Sequence, residues 1–383
     1  MRRLLIPFVV LAALALAPAP ALATSPKGAD AKLDRALEEL VELDGGPPGI
    51  GAIVDRGGRA RLHRAGVGTV PGERPFRKRE HMRIASVAKA FSGAVALTLV
   101  DRGRMSLDDT VGELLPNPPA AWSQVTLEQA LHHTGGLPDY IKDPAFLADL
   151  TANLRQYFSP EQLIGYVADD DLVFPPGSRY EYSDTDNIVV GLMAQAATGR
   201  SYEALLRSLV YKRLGLRRTS LPDGFLMPRP FIHGYALEPG GAPENVSQAL
   251  SASGAWASGG IVSTQADLNR FMRAYGGGAL FGKAVREQQL QLIPGGESQP
   301  PGPGQNSAGL AIFRYDTGCG SVFGASGNLP GYTQIAAATR DGRRSITVAT
   351  NAQLNPEQTP EVFERLRRIY RLAVCAALAG RDR

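Results

Sequence analysis

Residues 83–103 read RIASVAKAFSGAVALTLVDRG. Apart from a few small polar side chains and one lysine, the stretch is apolar from Val87 onward, and it stops at Gly103. That pattern predicts a helix over 86–103 that is buried nearly all round. Ser86 and Lys89 stand three apart at its start, and residues at that spacing share a helix face. A lysine amine can therefore sit beside a serine hydroxyl. A free serine is a weak nucleophile that needs a neighbouring base, and a lysine serves as one when its surroundings disfavour the charged form. The start of a helix also offers unpaired N–H groups to an oxyanion. S-x-x-K by itself equally describes an N-cap serine followed by a surface lysine. Against that stand two facts: this is the only S-x-x-K among seven lysines, and Lys89 is embedded in apolar sequence.

Upstream, residues 29–43 place Leu33, Leu37, Leu40 and Val41 on one helical face. GIGAIVDRGGRARLHRAGVG then reads as two strands joined at Asp55-Arg56-Gly57-Gly58. Downstream, residues 126–132, 160–168 and 187–198 look helical, and Pro and Gly punctuate 115–180. From about residue 258 the pattern returns to strands: GLAIFRY, SVFGASG, YTQIAAATR and RSITVAT, with a turn at Asp341-Gly342. Residues 359–380 form a final amphipathic helix, and GGESQPPGPGQNS at 295–307 reads as a surface loop. The expected fold is α/β (α+β): an antiparallel sheet built from N- and C-terminal segments and flanked by helices, with an inserted mostly helical domain. The sheet part would span about 29–85 and 258–383, and the helical part about 104–257.

The chain has 383 residues, 44% hydrophobic and 20% charged, with a net charge of +4. This excludes a disordered or collagenous chain and a multi-span membrane protein. No dense basic run points to nucleic acid. Residues 1–23, MRRLLIPFVVLAALALAPAPALA, carry a basic start, an apolar core and a small-residue Ala-Leu-Ala end, the pattern of an export signal. Pro18 and Pro20 interrupt the run, so a lasting membrane span is not expected after cleavage. The mature chain, 24–383, would be secreted or periplasmic. Cys319 and Cys375 could pair in an oxidising compartment or remain two buried thiols.

A second polar cluster, Tyr180-Glu181-Tyr182-Ser183-Asp184-Thr185-Asp186-Asn187, precedes an apolar helix. A tyrosine beside a lysine can relay protons, while Asp184 or Asp186 could cap the helix. His132-His133 lacks a third ligand at metal spacing, so no metal is expected. No G-x-S-x-G elbow and no phosphate- or dinucleotide-binding glycine pattern occurs, and no cofactor is implied.

With these motifs in order, the chain resembles the serine β-lactamase-like family of class C β-lactamases, penicillin-binding D-alanyl-D-alanine carboxypeptidases and related esterases. Residues 83–116 resemble its nucleophile helix, and VTLEQALHHTGGLPDY (125–140) its LLxHTSGLPxY segment. FPPGSRYEYSDTDNIVVGLMAQAATGRSYE (174–203) resembles the segment bearing its second motif, and ASGGIVSTQADLNRF (257–271) the stretch before the last strands. The resemblance implies Ser86 as the acylated nucleophile, Lys89 as its proton-accepting partner and Tyr182 as general base and acid. Asp184 stands where the family has Asn; a carboxylate there favours a charged lysine and alters substrate hydrogen bonding. The third motif aligns with Gly324-Ala325-Ser326-Gly327-Asn328-Leu329-Pro330-Gly331-Tyr332. Ser326 and Gly327 fit, but Ala325 replaces a basic residue that binds a substrate carboxylate. The resemblance places the backbone N–H groups of Ser86 and Asn328 at an oxyanion hole.

These readings imply an exported serine hydrolase working through a Ser86 acyl-enzyme on a small ester, amide or peptide. It would be D-alanyl-D-alanine carboxypeptidase-like or esterase-like, with weak or no β-lactamase activity. The alternative is a catalytically impaired member that binds cell-wall peptide or a partner. Ser86 Oγ, Lys89 Nζ and Tyr182 Oη are expected within mutual hydrogen-bonding reach.

Overall fold

The computed structural model describes residues 25–380 except Glu73 and Pro239. The export-signal reading of residues 1–23 lies outside the described residues. Among those described, no helix is long and apolar enough to cross a membrane.

Nine strands form one antiparallel sheet: β1 (Gly49–Arg56), β2 (Ala60–Thr69), β3 (Arg74–Pro75), β4 (Ile293–Pro294), β5 (Gln305–Gly309), β6 (Ile312–Thr317), β7 (Gly320–Leu329), β8 (Tyr332–Ala338) and β9 (Arg344–Thr350). Their order is β3-β2-β1-β9-β8-β7-β6-β5-β4. The two chain ends therefore meet at the β1–β9 pair, with Ile50 opposite Thr350 and Val54 opposite Ile346. The sequence reading placed this sheet correctly at both termini. β8 is buried at every position, as expected for a central strand covered on both faces.

One face is covered by helices α1 (Pro26–Val41) and α5 (Pro360–Leu378), which pack on each other and on β1. Ser25 caps α1 by accepting the Gly28 N–H, and Pro26 occupies its first turn, the place where a missing N–H costs nothing. Leu33, Leu37 and Leu40 join Ile50, Val54, Ile346, Val348, Leu366 and Tyr370 in one buried cluster. Two arginines close the C-terminal end of α5. Arg56 Nε donates to Ala376 O (2.7 Å) and Arg344 Nη1 to Ala377 O (2.6 Å), where cations suit both the orphan carbonyls and the helix dipole.

The other face carries α4 (Gln265–Gly276), packed on β8 and β9, and the helical layer built around α2 (Ala88–Asp101) and α3 (Asp184–Thr198). Two expectations need correction here. The return to strands does not begin at residue 258. Between 258 and 292 the chain finishes the short helix Trp256–Gly259, forms the short strand Val262–Thr264, paired with His81–Arg83, and then α4 and a further helix, Lys283–Gln289. GLAIFRY is not one strand either: Gly309 and Ile312 face each other across a tight turn in which Ala311 has φ 50°. The apolar run hid the turn because Leu310 and Ala311 are themselves buried.

Cys319, in the turn between β6 and β7, is bonded to Cys375 of α5, with Cα atoms 5.2 Å apart. Of the two states left open by the sequence, the structure has the disulfide. The bond closes a loop across 56 residues, and restricting an unfolded loop of that length stabilises the fold by about 2–4 kcal/mol. The double variant Cys319→Ala/Cys375→Ala is expected to lose that amount in urea unfolding. Equal denaturation midpoints for the variant and the oxidised parent would contradict this.

Candidate active site

The turn that carries Ser86 is shaped before the helix begins. Ala85 adopts φ 47°, a left-handed conformation that a residue with a Cβ holds only when its surroundings impose it. A single 3₁₀ turn, Ala85–Val87, then leads into α2. From Glu80 to Leu99 every residue is buried except Ser86. The apolar helix expected over 86–103 is present as this turn and α2, and the serine is its one opening to solvent.

Lys89 is 3% exposed. Its Nζ lies 3.3 Å from Ser86 Oγ, 2.6 Å from Asp184 Oδ1 and 3.1 Å from the Ser258 carbonyl. An ammonium has three N–H donors, and here it meets three oxygens. A neutral amine in the same place keeps Asp184 and Ser258 as acceptors and turns its lone pair to the Ser86 hydroxyl. A proton can therefore pass between Ser86 and Lys89 without any partner being exchanged. The surface-lysine reading of S-x-x-K is excluded by this burial.

Asp184 opens α3 and is buried beside Lys89. The motif change from Asn to Asp thus converts a hydrogen-bonding amide into the counter-ion of the lysine. Asp184 N donates to Asp139 Oδ1 (3.0 Å). Burial, and next the Asp184 charge, raise the Asp139 carboxyl to about 6. Asn187, one turn further along α3, donates to Ser92 Oγ (2.7 Å), which in turn donates to the Lys89 carbonyl. These bonds lock α2 and α3 together at the site.

Tyr182 departs from the expectation of mutual hydrogen bonding. Its ring lies under Lys89, with Nζ 4.8 Å from the centroid, but its buried hydroxyl has no hydrogen-bond partner of good geometry. Burial and then the Asp184 charge push the phenol well above its ordinary value, although the adjacent Ser86 hydroxyl works the other way. The resting group is a phenol, not a phenolate. His133 lies against the Tyr182 ring at 4.6 Å, and its Nδ1 is 2.7 Å from Asp186 Oδ2. Burial, and next the Lys89 charge, push the His133 imidazole down to about 3, while burial raises the Asp186 carboxyl. His132 Nε2 donates to Gln291 O (2.8 Å). Among the described residues no cluster of metal ligands occurs.

The sheet supplies the opposite wall through β7. Gly327 faces the Ser86 turn so closely that a Cβ there would stand 2.6 Å from Ser86 N and 2.9 Å from Val87 N. Ser326 is buried and hydrogen-bonded to Ser298 Oγ (2.8 Å) and to the Pro300 carbonyl. Asn328 donates its side-chain amide to Leu354 O (3.2 Å). Ala325 is 2% exposed, inside the apolar core. No lysine or arginine is hydrogen-bonded to residues 325–328 among those described. The structure thus brings Ser86, Lys89, Tyr182, Asp184 and Gly327 together, whereas Ser326 and the side chain of Asn328 are engaged with loops beside the site.

The loop at 295–307 is not a plain surface loop: Ser298 and Pro300 are buried, Tyr180 Oη donates to Glu297 O (2.6 Å), and Gln305–Asn306 already belong to β5. Composition hid this because its contacts are made by backbone groups and the side chains of one serine and one asparagine, Ser298 and Asn306. Asp139 and the Ser258 carbonyl were also missed; neither carries a local motif. Two recesses flank the site, of about 290 Å³ beside Asp139, Tyr182 and Ser183 and about 320 Å³ beside Ser298 and Asn328. A cavity of about 840 Å³ lies elsewhere, on the side of β1 and α4.

The family model described as Beta-lactamase matches residues 33–370. Penicillin-binding protein 4* of Bacillus subtilis is 23% identical over 320 residues, covering 79% of this chain and 67% of that protein. Esterase EstB of Burkholderia gladioli is 32% identical over 266 residues, covering 60% of this chain and 64% of that one. The chain spans about two thirds of the length of these curated relatives. Among solved structures, a D-stereospecific amidohydrolase from Streptomyces sp. superposes with TM-score 0.76 at 29% identity, covering 88% of this chain and 97% of that chain.

Because Gly327 meets backbone and not a flexible side chain, Gly327→Ala is expected to push the Ser86 turn out of place. Displacements of about 1 Å at a reacting group cost on the order of 100-fold in rate. A loss of that order in kcat/KM for an activated ester, with an unchanged circular dichroism spectrum, is the expected result; full activity would show that β7 does not position Ser86.

Proposed function

The chain belongs to the Beta-lactamase family of serine hydrolases, and from that premise we propose that it hydrolyses a small ester or amide through an acyl-enzyme on Ser86. The single observation that carries this reading is the buried Lys89 amine 3.3 Å from the one side chain of residues 80–99 that is only half-buried, Ser86. In the reactive form Lys89 has given up its ammonium proton to solvent; Ser86 Oγ then attacks the substrate carbonyl and forms the new C–O bond, while its proton moves to the neutral Lys89 amine. Tyr182, as a phenol, gives its proton to the departing alcohol or amine as that bond breaks, and recovers one from Lys89. The first half-reaction then ends with Ser86 acylated and the lysine restored. Water repeats the sequence in place of the leaving group and releases the acid. The backbone N–H groups of Ser86 and Asn328 are assigned to the oxyanion, which the approach of Gly327 to the Ser86 amide supports.

The substrate class follows from what is missing at β7. Ala325 is buried where the family's basic residue stands, and Ser326 is bonded to neutral groups. Among the described residues no lysine or arginine is hydrogen-bonded to this stretch to receive a free substrate carboxylate. This favours an ester or amide without that group, so the esterase-like reading is preferred over a carboxypeptidase, with little or no β-lactamase activity. The similarity to EstB and to a D-stereospecific amidohydrolase supports the same class. Export to the periplasm or outside the cell rests on the leader-like residues 1–23.

One observation favours a second reading, a member that binds without turnover: Tyr182 Oη lacks a hydrogen bond to Ser86. The two separate on labelling. With a fluorophosphonate, mass spectrometry is expected to find one adduct on Ser86, absent from Ser86→Ala, and a fluorescent penicillin is expected to label little. No adduct from either reagent, together with no hydrolysis of activated esters, would overturn the hydrolase and leave the binding protein.

A further inference from the structure

The cavity of about 840 Å³ shares no residue with the site around Ser86. Its volume is within the range of ligand pockets. Six cationic side chains line it, Lys78, Arg79, Arg217, Arg218, Arg270 and Arg273, against three carboxylates. Each carboxylate is already committed. Asp55 accepts from Arg273 Nη1 (2.9 Å) and from the Gly58 N–H (2.7 Å). Asp267 accepts from the Arg218 N–H (2.8 Å) and Thr219 Oγ1 (3.2 Å). Asp341 accepts from Thr339 Oγ1 (2.6 Å) and the Arg343 N–H (3.0 Å).

Of the cations, only Arg273 is committed in the same way, through Asp55 and the Gly342 carbonyl (3.0 Å). Lys78, Arg79 and Arg217 have no side-chain hydrogen bond or ion pair among the described residues. Arg218 and Arg270 are each tethered by one Nη1, to the Arg79 and Gly215 carbonyls (3.2 and 2.9 Å), so their remaining N–H donors are unused. Tethering lowers the entropy lost when such a side chain grips a ligand. A further observation is independent of the charge count. Asn269 lines the same cavity and is 5% exposed; its Oδ1 accepts from Ser345, yet its Nδ2 has no acceptor. A buried donor left unpaired is costly and calls for an acceptor in the cavity.

We propose that this cavity is a binding site for a polyanion bearing two or more phosphate groups. Phosphate oxygens are acceptors only, matching a wall of donors, and guanidinium forks engage them in pairs. A soluble polyphosphate and the headgroups of an anionic lipid share this chemistry. The proposal does not rest on the serine-hydrolase reading.

Inorganic tripolyphosphate, titrated calorimetrically into the full chain, is the probe. Saturable binding that weakens as salt rises is expected, and Arg79→Ser/Arg217→Ser should weaken it by at least about tenfold, the scale of losing two charge-assisted contacts. Both side chains are exposed, so the variant should unfold at the parent's temperature. Asn269→Asp, which replaces the buried donor with a carboxylate, should weaken binding as strongly. Co-sedimentation with phosphatidylglycerol vesicles but not phosphatidylcholine vesicles, lost in the double variant, would identify a lipid headgroup as the source. Tripolyphosphate binding without co-sedimentation would identify a soluble polyphosphate. No saturable binding at low salt, or binding unchanged in the double variant, would overturn the site.

Discussion

A lysine ammonium and an aspartate carboxylate, 2.6 Å apart and almost closed off from solvent, set the terms for the rest of the molecule. Taking two charges out of water costs several kcal/mol per ion unless they find each other and further hydrogen bonds. Lys89 finds Asp184 and the Ser258 carbonyl; Asp184 sits at the start of α3, and its own N–H is held by Asp139. The pair therefore forces three separate segments to converge on the first turn of α2. Ser86 is carried to the mouth of the site because its helix cannot be placed anywhere else without stranding a buried charge.

The sheet completes this constraint from the other side. β7 can approach Ser86 only because residue 327 has no side chain, and β7 is in turn held between β8 and β6 within the sheet. The chain ends meet at β1–β9, and the Cys319–Cys375 bond ties the C-terminal helix to the turn that leads into β7. Rigidity at the serine thus has two sources: an ionic anchor in the helical layer and a steric one in the sheet. A site held on regular elements in this way keeps its geometry better than one built on loops.

Features whose cause is local were legible in the sequence. The i, i+3 spacing of Ser86 and Lys89, the oddity of a lysine in an apolar helix, the β1–β2 hairpin and the C-terminal helix all rest on neighbours within a few residues. Features whose cause is distant were not. Nothing near residue 258 announces that its carbonyl will accept from Lys89, and nothing in GGESQPPGPGQNS announces that Ser298 will hold Ser326. The turn inside GLAIFRY was masked because burial by other segments made its residues apolar. Tyr182 was found by its place in a motif, but its phenol proved to be a resting acid without a partner, since burial depends on the packed whole. The replacements at Asp184 and Ala325 were visible as letters, and the pull of a carboxylate on Lys89 was expected from them; only the packing showed that Ala325 fills core.

The most direct test is a double-mutant cycle on the buried pair, read by urea unfolding of Lys89→Met, Asp184→Leu and the combined variant. Each single change leaves an unpaired buried charge and is expected to cost about 3–5 kcal/mol, whereas the double variant should lose far less than their sum. Losses that simply add, or single variants within about 0.5 kcal/mol of the parent, would mean that the lysine and the aspartate do not depend on one another and that the site is anchored by something else.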